Sequence, residues 1–145
     1  MGVYLNPGND KFYKAINSEI YVDKTGLIQY TNRVFNTMQQ NVCVSRPRRF
    51  GKSMTANMLA AYYSRGCQSE KLFEEFKIAK DPSFRQHLNR YNVFFMNMQE
   101  FLSRSKTVEK MILRISQLLM RDLKQEYPDI AYFDETDLAE SMQDV

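Results

Sequence analysis

The segment Val42-Cys43-Val44-Ser45-Arg46-Pro47-Arg48-Arg49-Phe50-Gly51-Lys52-Ser53 constrains this chain more than any other. A short β-prone run enters a basic bend. The bend leaves through Gly-Lys-Ser into a helix-competent stretch, Met54 to Ser64. Strand, loop and helix in that order form the setting of a phosphate-binding loop. A helix N-terminus offers unpaired N–H groups and the positive end of the macrodipole, so it favours an anion. Gly51 lets the backbone approach a phosphate, Lys52 reaches its β- and γ-oxygens, and Ser53 offers a hydroxyl to Mg²⁺. The second half of the G-x-x-x-x-G-K-[ST] pattern is therefore intact. The first half is not: Arg46 stands at the first glycine position, and Pro47 fixes φ and removes an N–H. The same residues also suit a plain basic turn before a helix. The flanking strand and helix favour nucleotide binding over that reading.

Arg46-Pro47-Arg48-Arg49-Phe50-Gly51-Lys52-Ser53, with Tyr21-Val22-Asp23-Lys24-Thr25 upstream, resembles the predicted AAA-ATPase-like family. Asn6-Pro7-Gly8, the Met54 to Tyr63 helix and Asn97-Met98-Gln99-Glu100-Phe101 extend the likeness over nearly the whole chain. Members of that family are bacterial and archaeal. They often carry a restriction-endonuclease-like domain at the C-terminus, through which nucleic acid becomes a partner. Arg46 departs from the general motif but not from this family's loop. The resemblance implies a variant Walker A loop, with ATP and Mg²⁺ as cofactors. It implies a nucleotide site at Arg48, Arg49, Phe50, Gly51, Lys52 and Ser53, with Ser53 on the metal. It places the Tyr21 to Thr25 region beside the base. The expected fold is an α/β P-loop NTPase of three αβα layers, incomplete because the chain corresponds to the N-terminal portion.

With 145 residues the chain has room for one domain with a substantial core. Hydrophobic residues at 43% and charged residues at 26% suit a globular protein. No apolar run approaches membrane-spanning length, and the N-terminus lacks a basic region followed by an apolar stretch. Cys43 and Cys67 form no C-x-x-C pair, and one histidine cannot complete a zinc site with them. Two reduced thiols in the cytoplasm are expected. The net charge of +3 is modest, but Arg46, Arg48, Arg49 and Lys52 crowd one loop. That loop attracts phosphate of any kind, so nucleotide and nucleic acid compete as partners.

The chain reads as one domain over 1–145, in three stretches: a helical segment 1–40, the strand, loop and helix at 41–65, and helices around a second strand at 66–145. Phe12, Tyr13 and Ile16 predict a short helical turn. Asp23 reads as the N-cap of a helix whose apolar residues recur at Leu27, Ile28, Val34, Phe35 and Met38. Asn41 to Ser45 predicts the first core strand and Lys52 to Ser64 the helix after the loop. Met54, Met58, Leu59, Tyr62 and Tyr63 form the apolar side of that helix. Asp81-Pro82 opens a further short helix, and His87, near its end, receives no catalytic role. Asn92 to Met98, nearly continuous in apolar residues, predicts a second strand buried on both faces. Its polar end at Asn97 to Phe101 lies where α/β sheets place a ligand crevice, or forms a strand-ending turn.

Lys106 to Tyr127 predicts the longest helix. Its buried stripe runs through Val108, Met111, Ile112, Ile115, Leu118, Leu119 and Leu123, with Lys110, Arg114, Arg121 and Lys124 facing water. That basic face is read first as solvated and second as a nucleic-acid surface. Glu135 to Gln143 predicts a short terminal helix.

A P-loop enzyme also needs an acid at the end of another apolar strand. Asp134-Glu135 is the one candidate, and it follows only a short, weakly apolar run. By the resemblance, the acidic strand lies further on and the chain stops before it. Its two strands would then lack their usual neighbours. Two further readings stand beside ATP binding: a nucleic-acid-binding module that uses the basic loop, and a non-catalytic remnant that binds neither ligand.

Overall fold

The computed structural model describes residues 2–145, and among these it forms eight α-helices. They are α1 Asp10–Ile16, α2 Gly26–Val34, α3 Lys52–Tyr63, α4 Glu70–Phe73, α5 Phe84–His87, α6 Met98–Arg104, α7 Val108–Glu126 and α8 Leu138–Gln143. A 3₁₀ turn spans Lys77–Lys80. The chain divides into two compact units. One is Gly8–Val93, and the other joins the segment up to Pro7 with Phe94–Val145. No helix among the described residues is long and apolar enough to cross a membrane.

The expected three-layer αβα architecture is not what forms. Outside the helices, pairing among the described residues is limited to two isolated bridges, Leu5 with Phe94 (antiparallel) and Ser64 with Tyr91 (parallel). Asn41 to Ser45 and Asn92 to Met98 therefore do not build a sheet. The physical reason lies in what β-propensity measures. A valine-rich run fits a pleated, half-buried surface, but it becomes a strand only when a neighbour takes its N–H and C=O groups. Val42 and Val44 have no such neighbour and remain 40% and 46% exposed. The end of the expected second strand is claimed by helix instead. Asn97 caps α6 by accepting from the Gln99 N–H at 3.2 Å, and Glu100 follows in the first turn.

Gly8–Val93 is organised on α3. Its residues Met58, Ala61 and Tyr62 meet Phe12 of α1, Ile28 of α2, Phe73 of α4, Ile78 of the 3₁₀ turn and Phe84 of α5 in one buried cluster. Phe12 stacks on Phe73 with ring centroids 4.7 Å apart. Tyr62 is fully buried, so its hydroxyl must be paired. It donates to the Phe84 carbonyl at 2.8 Å and accepts from Asn32 Nδ2 at 2.9 Å. Burial pushes its pKa up to about 12, which keeps it a donor at any ordinary pH.

The C-terminal end of α3 is closed by Asn89, at φ +54°. Its Nδ2 donates to the carbonyls of Ala61, Tyr62 and Ser64, and its Oδ1 accepts from the Ser69 N–H. His87 is buried, with Nδ1 2.6 Å from the Tyr91 hydroxyl, and so has a packing role.

The second unit is built on α7, which Thr107 caps through the Lys110 N–H. Met111, Leu119 and Leu123 are buried as the helical stripe requires, whereas Val108 and Ile112 are 59% and 56% exposed. Leu5, Met120 and Leu123 form a small core with Phe94, Tyr127, Tyr132 and Leu138. Beside it Asp122 is 1% exposed and accepts from the backbone N–H groups of Tyr4 at 2.7 Å and Leu5 at 3.2 Å. Its other oxygen takes the Arg121 guanidinium at 3.0 Å. Asp137 caps α8 through the N–H groups of Ala139 and Glu140.

Candidate functional site

The basic loop ends at the start of α3. Gly51 is the N-cap residue, at φ +77°, and Arg49 before it has φ +67°. Two left-handed residues in three turn the chain sharply into the helix. Thr55 closes the first turn on the Gly51 carbonyl, through its N–H at 2.9 Å and its hydroxyl at 3.0 Å. No side chain caps α3, so its first N–H groups keep their capacity for another acceptor.

Lys52 is exposed, but its side chain is held by the loop. Its ammonium donates to the carbonyl of Arg46 and, at 3.2 Å, to that of Pro47. The side chain thus folds back across the mouth of the loop. A compact cation with three donors takes carbonyls when no anion is present, and an anion competes for it well. Ser53 is exposed, and its hydroxyl has no partner among the described residues. Arg48 and Arg49 are exposed as well. With Arg46, the loop therefore gathers four cations, an uncapped helix start and a free hydroxyl.

Sequence reasoning missed Lys24. Its ammonium donates to the Phe50 carbonyl at 2.8 Å and stands where a Cβ on Gly51 would be, at 2.5 Å. Its neighbours fix it there. Thr25 is buried, and the Asp23 carboxylate accepts from the Thr25 N–H at 2.8 Å and hydroxyl at 2.6 Å. The other Asp23 oxygen accepts from the Lys77 N–H at 3.1 Å. Asp23 was expected to cap a helix. In the structure Thr25 is the N-cap of α2, and Asp23 ties that turn to the 3₁₀ segment. Burial opposes its ionisation, but the Thr25 and Lys77 hydrogen bonds outweigh it and hold the pKa below the usual carboxylate range. The signal available was the triplet itself, a lysine held between two turn-forming side chains.

A cavity of 340 Å³ opens against this turn. Ile20, Tyr21, Val22 and Lys24 line one side, and Arg49, Phe50, Gly51 and Met54 the other. Its size lies within the ~300–1,000 Å³ usual for small-molecule sites, and its walls are mostly apolar with cations at the edge. The residues around Tyr21 thus reach the same cavity as the loop, from opposite ends of a 30-residue stretch that contains α2.

For a metal, the loop offers the Ser53 hydroxyl, and no group of three His, Cys, Asp or Glu side chains gathers among the described residues. A Mg²⁺ held by nucleotide phosphates and water needs few protein ligands, so one hydroxyl fits that arrangement. Asp134 and Glu135 belong to the other unit and have local partners. Asp134 accepts from the Thr136 N–H and hydroxyl, and Glu135 pairs with Lys124 at 2.5 Å. Cys43 and Cys67 form no disulfide among the described residues.

An uncapped helix start with a lysine folded over it defines a candidate anion site. The family comparison agrees with that class. A model of the family described as "Predicted AAA-ATPase" matches residues 8–145, and the chain belongs to that family. Comparison with curated proteins and with solved structures gave no match. A nucleotide is the ligand the family description implies.

Proposed function

We propose that this chain binds ATP with Mg²⁺ through its basic loop, as a variant Walker A site. The triphosphate lies on the α3 N-terminus, against the N–H groups of Phe50 to Ser53. Lys52 leaves the Arg46 and Pro47 carbonyls for the phosphate oxygens, and Ser53 contributes to the Mg²⁺ shell. Arg48 and Arg49 add positive charge at the mouth. The nucleoside enters the cavity between Tyr21 and Phe50. The observation that carries this reading is Lys52, held over an uncapped helix start with only backbone carbonyls for partners. Cys43 and Cys67, which form no disulfide among the described residues, suit a cytoplasmic setting.

Titration calorimetry with Mg-ATP tests the proposal. Wild type is expected to bind saturably, and Lys52→Ala to lose binding. Lys52→Arg keeps the charge but replaces a compact ammonium with a broad planar fork, so it too is expected to lose most of the affinity. Binding retained by Lys52→Arg and lost by Lys52→Ala would favour a site that needs only charge, as nucleic-acid binding by the loop does.

A further inference from the structure

The second unit contains a groove that the nucleotide reading does not use. It has a volume of 660 Å³ and runs between α6 and α7. Arg104, Lys106, Lys110, Arg114 and Arg121 line it, against one carboxylate, Glu100. Arg104 is paired with Glu100 at 3.3 Å and Arg121 with Asp122 at 3.0 Å. Lys106, Lys110 and Arg114 have no carboxylate within ion-pair distance among the described residues, and all three are exposed. Lys110, Arg114, Leu118 and Arg121 follow one another on one face of α7, spanning about 16 Å at 1.5 Å per residue. The groove wall also carries Tyr4 and Phe101, whose ring centroids are 5.5 Å apart, and Tyr4 is only half-buried.

We infer that this groove binds single-stranded nucleic acid, with successive phosphates along Lys106, Lys110 and Arg114 and a base against Tyr4. A row of like charges left without counter-charges suits a ligand that brings evenly spaced negative charge. The aromatic beside the row suits a ligand that also brings flat rings, and cationic grooves with stacking platforms are how unpaired strands are held. A duplex keeps its bases stacked inside and is too thick to enter a cleft between two neighbouring helices. The groove belongs to a different unit from the Lys52 loop, so the inference does not rest on the nucleotide reading.

The experiment is fluorescence anisotropy with a fluorescein-labelled oligothymidylate, on the whole chain, across a salt series. Three phosphate contacts predict a log–log salt slope of about −2, an affinity loss of about twentyfold between about 50 and 200 mM salt. In Lys110→Gln/Arg114→Gln the loss is expected to shrink to about threefold. Glutamine is a good helix former, and both positions are exposed, so α7 should persist. Lys71→Gln/Lys80→Gln makes the same change in net charge on the other unit and is expected to bind as wild type does.

Equal weakening in both double variants would overturn the inference, because net charge alone would then explain binding. Two tests need no variant. Displacement of the oligonucleotide by Mg-ATP at loop-saturating concentration would overturn the inference by placing the strand on the loop. Inorganic polyphosphate competing as well as the oligonucleotide, phosphate for phosphate, would overturn it by showing that bases contribute nothing.

Discussion

Gly51→Ala isolates the turn on which the nucleotide site depends. At φ +77° an L-residue with a Cβ is strained by about 1–2 kcal/mol. The new methyl would also lie 2.5 Å from the Lys24 ammonium, forcing it off the Phe50 carbonyl that it now holds at 2.8 Å. That exposed hydrogen bond contributes about 0.5–1 kcal/mol. Together the turn loses about 1.5–3 kcal/mol in the conformation that presents the α3 N–H groups. Because the ligand must select that conformation, the affinity for Mg-ATP should fall by about 10- to 150-fold. Calorimetry reads this directly. Lys24→Ala removes the clash, so in that background Gly51→Ala should cost only the backbone part, about 1–2 kcal/mol. A Gly51→Ala variant that binds within about twofold of wild type would refute the argument for the left-handed turn. A penalty unchanged by the loss of Lys24 would refute the steric part.

Asp122→Asn should destabilise the chain by about 1–3 kcal/mol, since the amide that replaces one carboxylate oxygen offers the Arg121 guanidinium another donor. Burial opposes ionisation of Asp122, but the Tyr4, Arg121 and Leu5 hydrogen bonds prevail, and its pKa lies below the usual value. Its stabilisation is therefore complete above the ordinary aspartate pKa of about 3.9 and is lost as pH falls through the lower folded value. The gap between the urea midpoints of wild type and Asp122→Asn should be largest near pH 7 and narrow as the pH is lowered below about 4. Asn89→Ala should cost about 2–4 kcal/mol, combining three lost bonds to the end of α3 with an alanine at φ +54°. Asn89→Gly keeps the backbone unstrained and should cost less by thermal melting.

The helices were legible where side chains state their own boundaries. Helices expected at Lys52 to Ser64, Lys106 to Tyr127 and Glu135 to Gln143 formed as α3 Lys52–Tyr63, α7 Val108–Glu126 and the shorter α8 Leu138–Gln143. The strands were not legible, because apolar runs at 41–45 and 92–98 indicate burial capacity and not the existence of a partner. One local signal did point to helix: Asn97 followed three residues later by Glu100, the spacing of an N-cap and its N3 acid. Asp122 was hidden for a different reason. It stands between Arg121 and Leu123 in an amphipathic stretch, and nothing local reveals that the backbone of Tyr4 and Leu5 passes over it. At the candidate site the composition of the loop was legible. Lys24 was not, since its contact with Phe50 spans 26 positions.

In the proposed site a triphosphate seats on the N–H groups at the start of α3. Amide ¹⁵N–¹H spectra of wild type during Mg-ATP titration read that contact. The largest shifts are expected on Phe50, Gly51, Lys52 and Ser53, with smaller ones at Tyr21 and Val22, all saturating with one affinity. Saturable shifts that leave the Phe50 to Ser53 amides unmoved would contradict that seating.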